Sequence, residues 1–165
     1  MKRFTFAFTV ALLATGCQSG QGPSSNYALP IEPQRFQLYT GCAPVGVFVS
    51  DLSKDAIGIG LTKAAIQASV RNALRLHLIY TPEEQPSITL RLSVQVYRGA
   101  FAITLALIKP IWDYFTESMK PAITWHFSSM GTHAGDVEHI LFHVRLLVWQ
   151  FIDHYRTINE GDCER

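Results

Sequence analysis

Two histidines, His139 and His143, stand four residues apart in a stretch of helical periodicity, so their imidazoles share one face and can chelate Zn²⁺, Ni²⁺ or Cu²⁺. His154 falls close to the same line. A catalytic zinc site needs a third ligand and an open position, and the His-Glu-x-x-His order that supplies a general base is absent: the stretch reads Glu138-His139-Ile140-Leu141-Phe142-His143. His126 or His133 completes a site only if the fold carries it there; otherwise the pair is the polar flank of an amphipathic helix. Ser128, Ser129 and His133 cluster near a Gly-bounded turn, but no Gly-x-Ser-x-Gly elbow presents a nucleophile. Asp51, Asp55, Glu83 and Glu84 border loops and helix starts, where carboxylates cap or solvate. Gly58-Ile59-Gly60 lacks the third glycine and the lysine of a phosphate loop. The spacing therefore demands no reaction and implies no cofactor; the expectation is a non-catalytic accessory protein, the alternative is a metal-binding protein using His139 and His143, and a third reading is an enzyme whose residues only the fold gathers.

A different chemistry is offered by Lys109-Pro110-Ile111-Trp112-Asp113-Tyr114-Phe115, three aromatics in a stretch interrupted by proline. If exposed, Trp112, Tyr114 and Phe115 form a surface for a partner or for the membrane interface, where Trp and Tyr offer an apolar body with a polar tip. If instead a hairpin extends to about Tyr114, the same side chains cap the core.

The start of the chain carries an address. Met1-Lys2-Arg3 precedes an apolar run from Phe4 to Leu13, which closes on the small residues Ala14-Thr15-Gly16 before Cys17. Residues 1–16 match a signal peptide, and the run is far shorter than the ~20 residues of a membrane-spanning helix. A cysteine in that place resembles the lipobox of bacterial lipoproteins, although Ala14 stands where that family usually has Leu. The resemblance implies acylation at Cys17 and a periplasm-facing lipid anchor. Gln18, in place of Asp, resembles lipoproteins passed to an outer membrane. The competing reading is an ordinary small-x-small cleavage site and a free Cys17.

Cleavage before Cys17 leaves 149 residues, enough for one domain with a real core, and a formal charge near −1. There is no basic surplus or run to displace counterions from phosphates, so nucleic acid is not an expected partner. With Cys17 acylated, Cys42 and Cys163 remain, an even number in a compartment that permits disulfides, and they are expected to pair. Two reduced thiols or two metal ligands are the alternatives.

Residues 17–34 are rich in Gly, Ser, Gln and Pro and read as a tether; residues 35–165 read as the domain. Arg35 to Tyr39 is a possible short strand, and Val45 to Leu52 alternates as a firmer one. Thr62 caps a helix running to about Leu78, with Ile66, Val70, Ala73 and Leu74 on its core face. Ile88, Leu90, Leu92, Val94 and Val96 alternate with polar residues in a half-buried strand. Arg98-Gly99-Ala100 turns the chain into a second strand from Phe101 to Ile108, which Lys109-Pro110 ends or bends. In a third strand, Ala122 to Ser128, Ile123, Trp125 and Phe127 are expected to point inward. Asp136 caps a last helix from Val137 to about Asn159, whose stripe includes Ile140, Val144, Leu147, Val148, Phe151 and Tyr155. The order strand, helix, three-stranded meander, helix predicts an α+β fold: an antiparallel-dominated sheet with two helices packed on one face.

Gly60-Leu61-Thr62 before the first helix, the alternating hairpin, the Trp125 strand before a Gly-rich turn, and a last helix ending in Phe151-Ile152, Tyr155 and Asn159 together resemble a group of small exported bacterial proteins without assigned activity. The likeness covers most of residues 45–159. At the coarser level of a strand-helix-meander-helix domain behind a lipid anchor, the chain is similar to lipoproteins that serve as accessory subunits of envelope transport and assembly machines. What that similarity implies is an envelope protein partner.

Overall fold

The computed structural model describes residues 31–82 and 86–163. Alternation of apolar and polar residues builds three long strands: β1 (Gly46–Val49) is short, while β2 (Thr89–Tyr97), β3 (Ala100–Asp113) and β4 (Ser118–Thr132) form the meander. They lie in the order β1-β2-β3-β4, with β1 parallel to β2 and the other pairs antiparallel. The fold is α+β, as the residue pattern predicts.

Helix α3 (Lys63–Leu76) opens on Thr62, whose hydroxyl accepts from the Ala65 N–H at 3.1 Å. Helix α4 (Val137–Cys163) opens on Asp136, whose carboxylate accepts from the N–H groups of Glu138 and His139. Both helices lie on one face of the sheet. Ile66, Val70 and Leu74 of α3 and Ile140, Val144, Val148 and Phe151 of α4 are sealed against Leu90, Leu92, Val94, Ile103, Leu105 and Leu107. Full burial of such side chains contributes roughly 1.5–3 kcal/mol each, so this layer dominates stability. Among the described residues, no helix covers the opposite sheet face.

The β2–β3 turn uses left-handed backbone at Arg98 (φ 49°) and Gly99 (φ 93°), the pairing of signs that suits a two-residue hairpin between right-twisted strands. Two elements differ from expectation at the amino-terminal side. Residues 35–39 are not a strand: α1 (Ile31–Leu38) is a helix that takes in the last four residues of the expected tether, with Pro33 in its first turn, where a missing N–H costs nothing. A five-residue helix, α2 (Lys54–Gly58), capped by Ser53, fills the connection to Gly60. The first strand is also shorter than Val45 to Leu52, because Ser53 turns away to cap α2 while its hydroxyl bonds the Val96 backbone.

The expected inward set on β4 is corrected. Trp125 is buried, but Ile123 is 51% and Phe127 39% exposed. Leu107 pairs with Trp125 and Ile108 with Ile123, so Thr124 is an extra residue in a β-bulge. Thr124 donates to the Gln37 carbonyl of α1 on the helix side, the side that Trp125 also faces, and this turns Ile123 to the open face. Phe127 lies on the outermost of the described strands, where none of the others covers it.

A candidate contact surface on a protruding hairpin

Strand β3 does not end at Lys109-Pro110. Its pairing with β2 stops at Ile108, opposite Thr89, but pairing with β4 continues to Asp113 opposite Ser118. The five residues 109–113 and their partners on β4 therefore form a two-stranded arm that projects about 17 Å past the sheet. Proline is accommodated for a definite reason. Pro110 faces Pro121, a position that cannot be a hydrogen-bonded pair, so each missing N–H points outward, and β2 no longer lies beside Pro110.

The arm carries all three predicted aromatics, and none of them caps the core. Trp112 is 48%, Tyr114 85% and Phe115 100% exposed, and Met119, opposite Trp112, is 55% exposed. The tip is ordered by its own polar groups. The Asp113 carboxylate accepts from the Phe115 N–H at 2.9 Å and the Thr116 hydroxyl at 2.8 Å, and these bonds, the Thr116 one foremost, hold its pKa below the usual carboxylate value. Glu117 closes the turn in left-handed backbone at φ 46°.

At the base of the arm sits α1. The Lys109 ammonium donates to the Phe36 carbonyl and, at 2.8 Å, to the Tyr39 carbonyl, and it lies over the Phe36 ring. Partial burial lowers its pKa. With the Thr124 to Gln37 bond, both strands of the arm are fastened to α1 where they leave the sheet.

The other predicted residues lie elsewhere. Cys42 and Cys163 form a disulfide, and the neighbouring polar groups explain why it closes. Asn159, fully buried, donates to the carbonyls of Leu38 and Tyr155 and accepts from the Thr40 N–H; the Tyr155 hydroxyl donates to the Ala43 carbonyl. These bonds hold the segment after α1 against the end of α4. Cys17 lies outside the described residues, as do Glu83 and Glu84.

His139 and His143 are brought together, their rings 4.8 Å apart and edge-on, with Phe101 packed against both. No group of three or more His, Cys, Asp or Glu able to hold a metal occurs among the described residues. His126 points to the open sheet face, and the His133 Nδ1 accepts from the Gly135 N–H at 3.1 Å. Ser128 and Ser129 sit within β4 rather than in a turn, and the Ser128 hydroxyl is 3.2 Å from that of Thr104. Asp51 pairs with Lys63, and Asp55 accepts from the Arg98 N–H.

Clefts lie elsewhere on the molecule. One of about 500 Å³ is lined by the disulfide with His77, Asp153, Arg156 and Glu160, and its two sulfurs are bonded to each other. Another, about 430 Å³, lies between α1, β4 and α4 and is lined by Leu38, Trp125, Phe127 and Ile158. Residue patterning missed one surface: Phe142, Leu146 and Trp149 on α4 are 43–49% exposed and form a second apolar stripe at helical spacing, with the His77 ring against Trp149. The i, i+4, i+7 spacing was its signal, masked by the stronger core stripe. Met119 was the other omission, its only signal being its place opposite Trp112.

No family model and no curated protein matches the chain. Among solved structures it is similar to a dodecameric PelC variant from Paraburkholderia phytofirmans, at 17% identity and a TM-score of 0.41, over 66% of this chain and 85% of that one. At that distance, nothing about activity or assembly passes from one chain to the other.

Proposed function

We propose that this protein is a lipid-anchored, non-catalytic accessory component of a bacterial envelope, held at Cys17 and meeting another envelope component through the β3–β4 arm. The observation that carries the reading is the arm itself: an ordered projection that presents Trp112, Tyr114 and Phe115 to solvent. A folded chain gains nothing in stability from a fully exposed Phe, and clustered exposed aromatics mark contact surfaces. The address at residues 1–17 supports the compartment, and the Cys42–Cys163 disulfide is at home in an oxidising one.

The test has two parts. Mass spectrometry of the mature chain is expected to find a diacylglyceryl-modified Cys17 as its first residue; a Cys17 sulfur without that group would remove the anchor from the proposal. Photoreactive side chains at Trp112 and Tyr114 are expected to capture an envelope component in intact cells, and turnover of a substrate by the purified protein would contradict the non-catalytic role.

A further inference from the structure

We infer that the envelope component met by the arm is the bilayer itself: the tip enters the lipid interface on the same membrane that holds Cys17. This rests on the reading of the arm as a contact surface and adds what it contacts.

Three observations lead there. The first is where the chain leaves the described structure. Lys109 and Thr124, at the arm's base, bond the carbonyls of Phe36, Gln37 and Tyr39, so Ile31, at the other end of α1, is within about 9 Å of that base along the helix. Only 13 residues separate Ile31 from Cys17. Fully drawn out, those residues reach at most about 45 Å, so an anchor at Cys17 keeps Ile31, near the base of the arm, within that distance of the membrane. A domain anchored at Cys17 thus holds the arm, which projects about 17 Å, near the membrane that carries the anchor.

The second is shape. The tip is convex: Tyr114 and Phe115, 85% and 100% exposed, occupy the turn, and Trp112 and Met119 face each other just behind it. Splayed aromatics on a finger suit the headgroup boundary, where Trp and Tyr place their polar atoms in water and their rings in the acyl region.

The third is charge. Asp113 and Glu117 flank the tip, Lys120 is the one cation near them on the arm, and Lys109 is occupied with α1. Bonded to Phe115 and Thr116, the Asp113 carboxylate stays ionised and is costly to dehydrate. Insertion is therefore shallow, with Phe115 deepest, and attraction to anionic lipid contributes little. Its effect is orientation: a second point of attachment fixes which way the sheet faces relative to the membrane.

The experiment uses the full chain reconstituted by its anchor into phosphatidylcholine vesicles containing brominated acyl chains, with tryptophan fluorescence as the readout. Bromolipid is expected to quench a component that Trp112→Phe removes and that Phe115→Ser reduces at least twofold, and replacing a third of the lipid by phosphatidylglycerol is expected to leave it unchanged. Absence of a Trp112 component overturns the inference, and dependence on phosphatidylglycerol overturns the charge argument. A photoreactive residue at Phe115 in intact cells separates this failure from that of the underlying reading. Lipid adducts support both; a single protein adduct overturns the lipid assignment but keeps the arm as a contact surface; no adduct overturns both.

Discussion

Asn159 and Tyr155 show how a few polar atoms set the amino-terminal geometry. Asn159 is completely buried and bonds Leu38, Thr40 and Tyr155, so replacing it strands a buried carbonyl and N–H. Asn159→Ala is expected to cost about 1–3 kcal/mol, read as a lower urea midpoint with unchanged m-value. Burial pushes the Tyr155 phenol above its ordinary value of 10.0, with its bond to Thr40 opposing. The folded state thus holds this proton more tightly than the unfolded chain. Stability is unaffected below the unfolded value and falls as pH rises past about 10. Tyr155→Phe is expected to lower stability at neutral pH and to flatten that alkaline decline, measured by urea titration at pH 8 and at pH 11. His139 and His143 are neighbours with no third ligand among the described residues, so His139→Ala is expected to leave calorimetric Zn²⁺ uptake unchanged.

Elements were legible where one physical cause acts alone. The core faces of α3 and β2 follow from period, and the caps Thr62 and Asp136 follow from the need to satisfy N–H groups at a helix start. Legibility fails where tertiary context decides. Pro110 reads as a stop because a proline breaks a ladder, yet here its N–H position faces outward beyond the end of β2. The bulge at Thr124 reverses the alternation that put Ile123 inside, and nothing local announces it. Residues 35–38 fall in a helix because α1 docks Leu38 into the core and lends the Phe36 carbonyl to Lys109, with the Tyr39 carbonyl just beyond it. The exposure of Trp112, Tyr114 and Phe115 was one of two readings their types allowed, and only the length of the arm decides between them. Phe115→Ser is expected to change stability by less than about 0.5 kcal/mol, since the side chain is fully exposed, while reducing contact through the arm. Thermal denaturation alongside crosslinking yield separates the two effects.

Among the described residues, one face of the sheet is sealed by α3 and α4, the other carries no helix, and the arm leaves the sheet beside α1. The disulfide ties the end of α4 to the segment after α1 across 121 residues of sequence. On the chain-entropy view, closing a loop of that length stabilises by about 4–5 kcal/mol, reduced to the extent that Asn159 and Tyr155 already hold the ends together. Reduction, or Cys163→Ser, is expected to lower the urea midpoint while leaving the arm's contacts intact, because the bridge lies at the α4 terminus and the arm is fastened through α1.

The measurement that bears most directly on the contact role is a crosslinking scan in intact cells, with photoreactive residues placed singly at Phe115 on the arm, Phe48 and Tyr97 on the sheet face away from α3 and α4, and Trp149 on the second apolar stripe of α4; all four are exposed. Capture concentrated at Phe115 is the expected result. Capture concentrated at Trp149, or spread evenly over the four positions, would contradict the assignment of the arm as the contact surface.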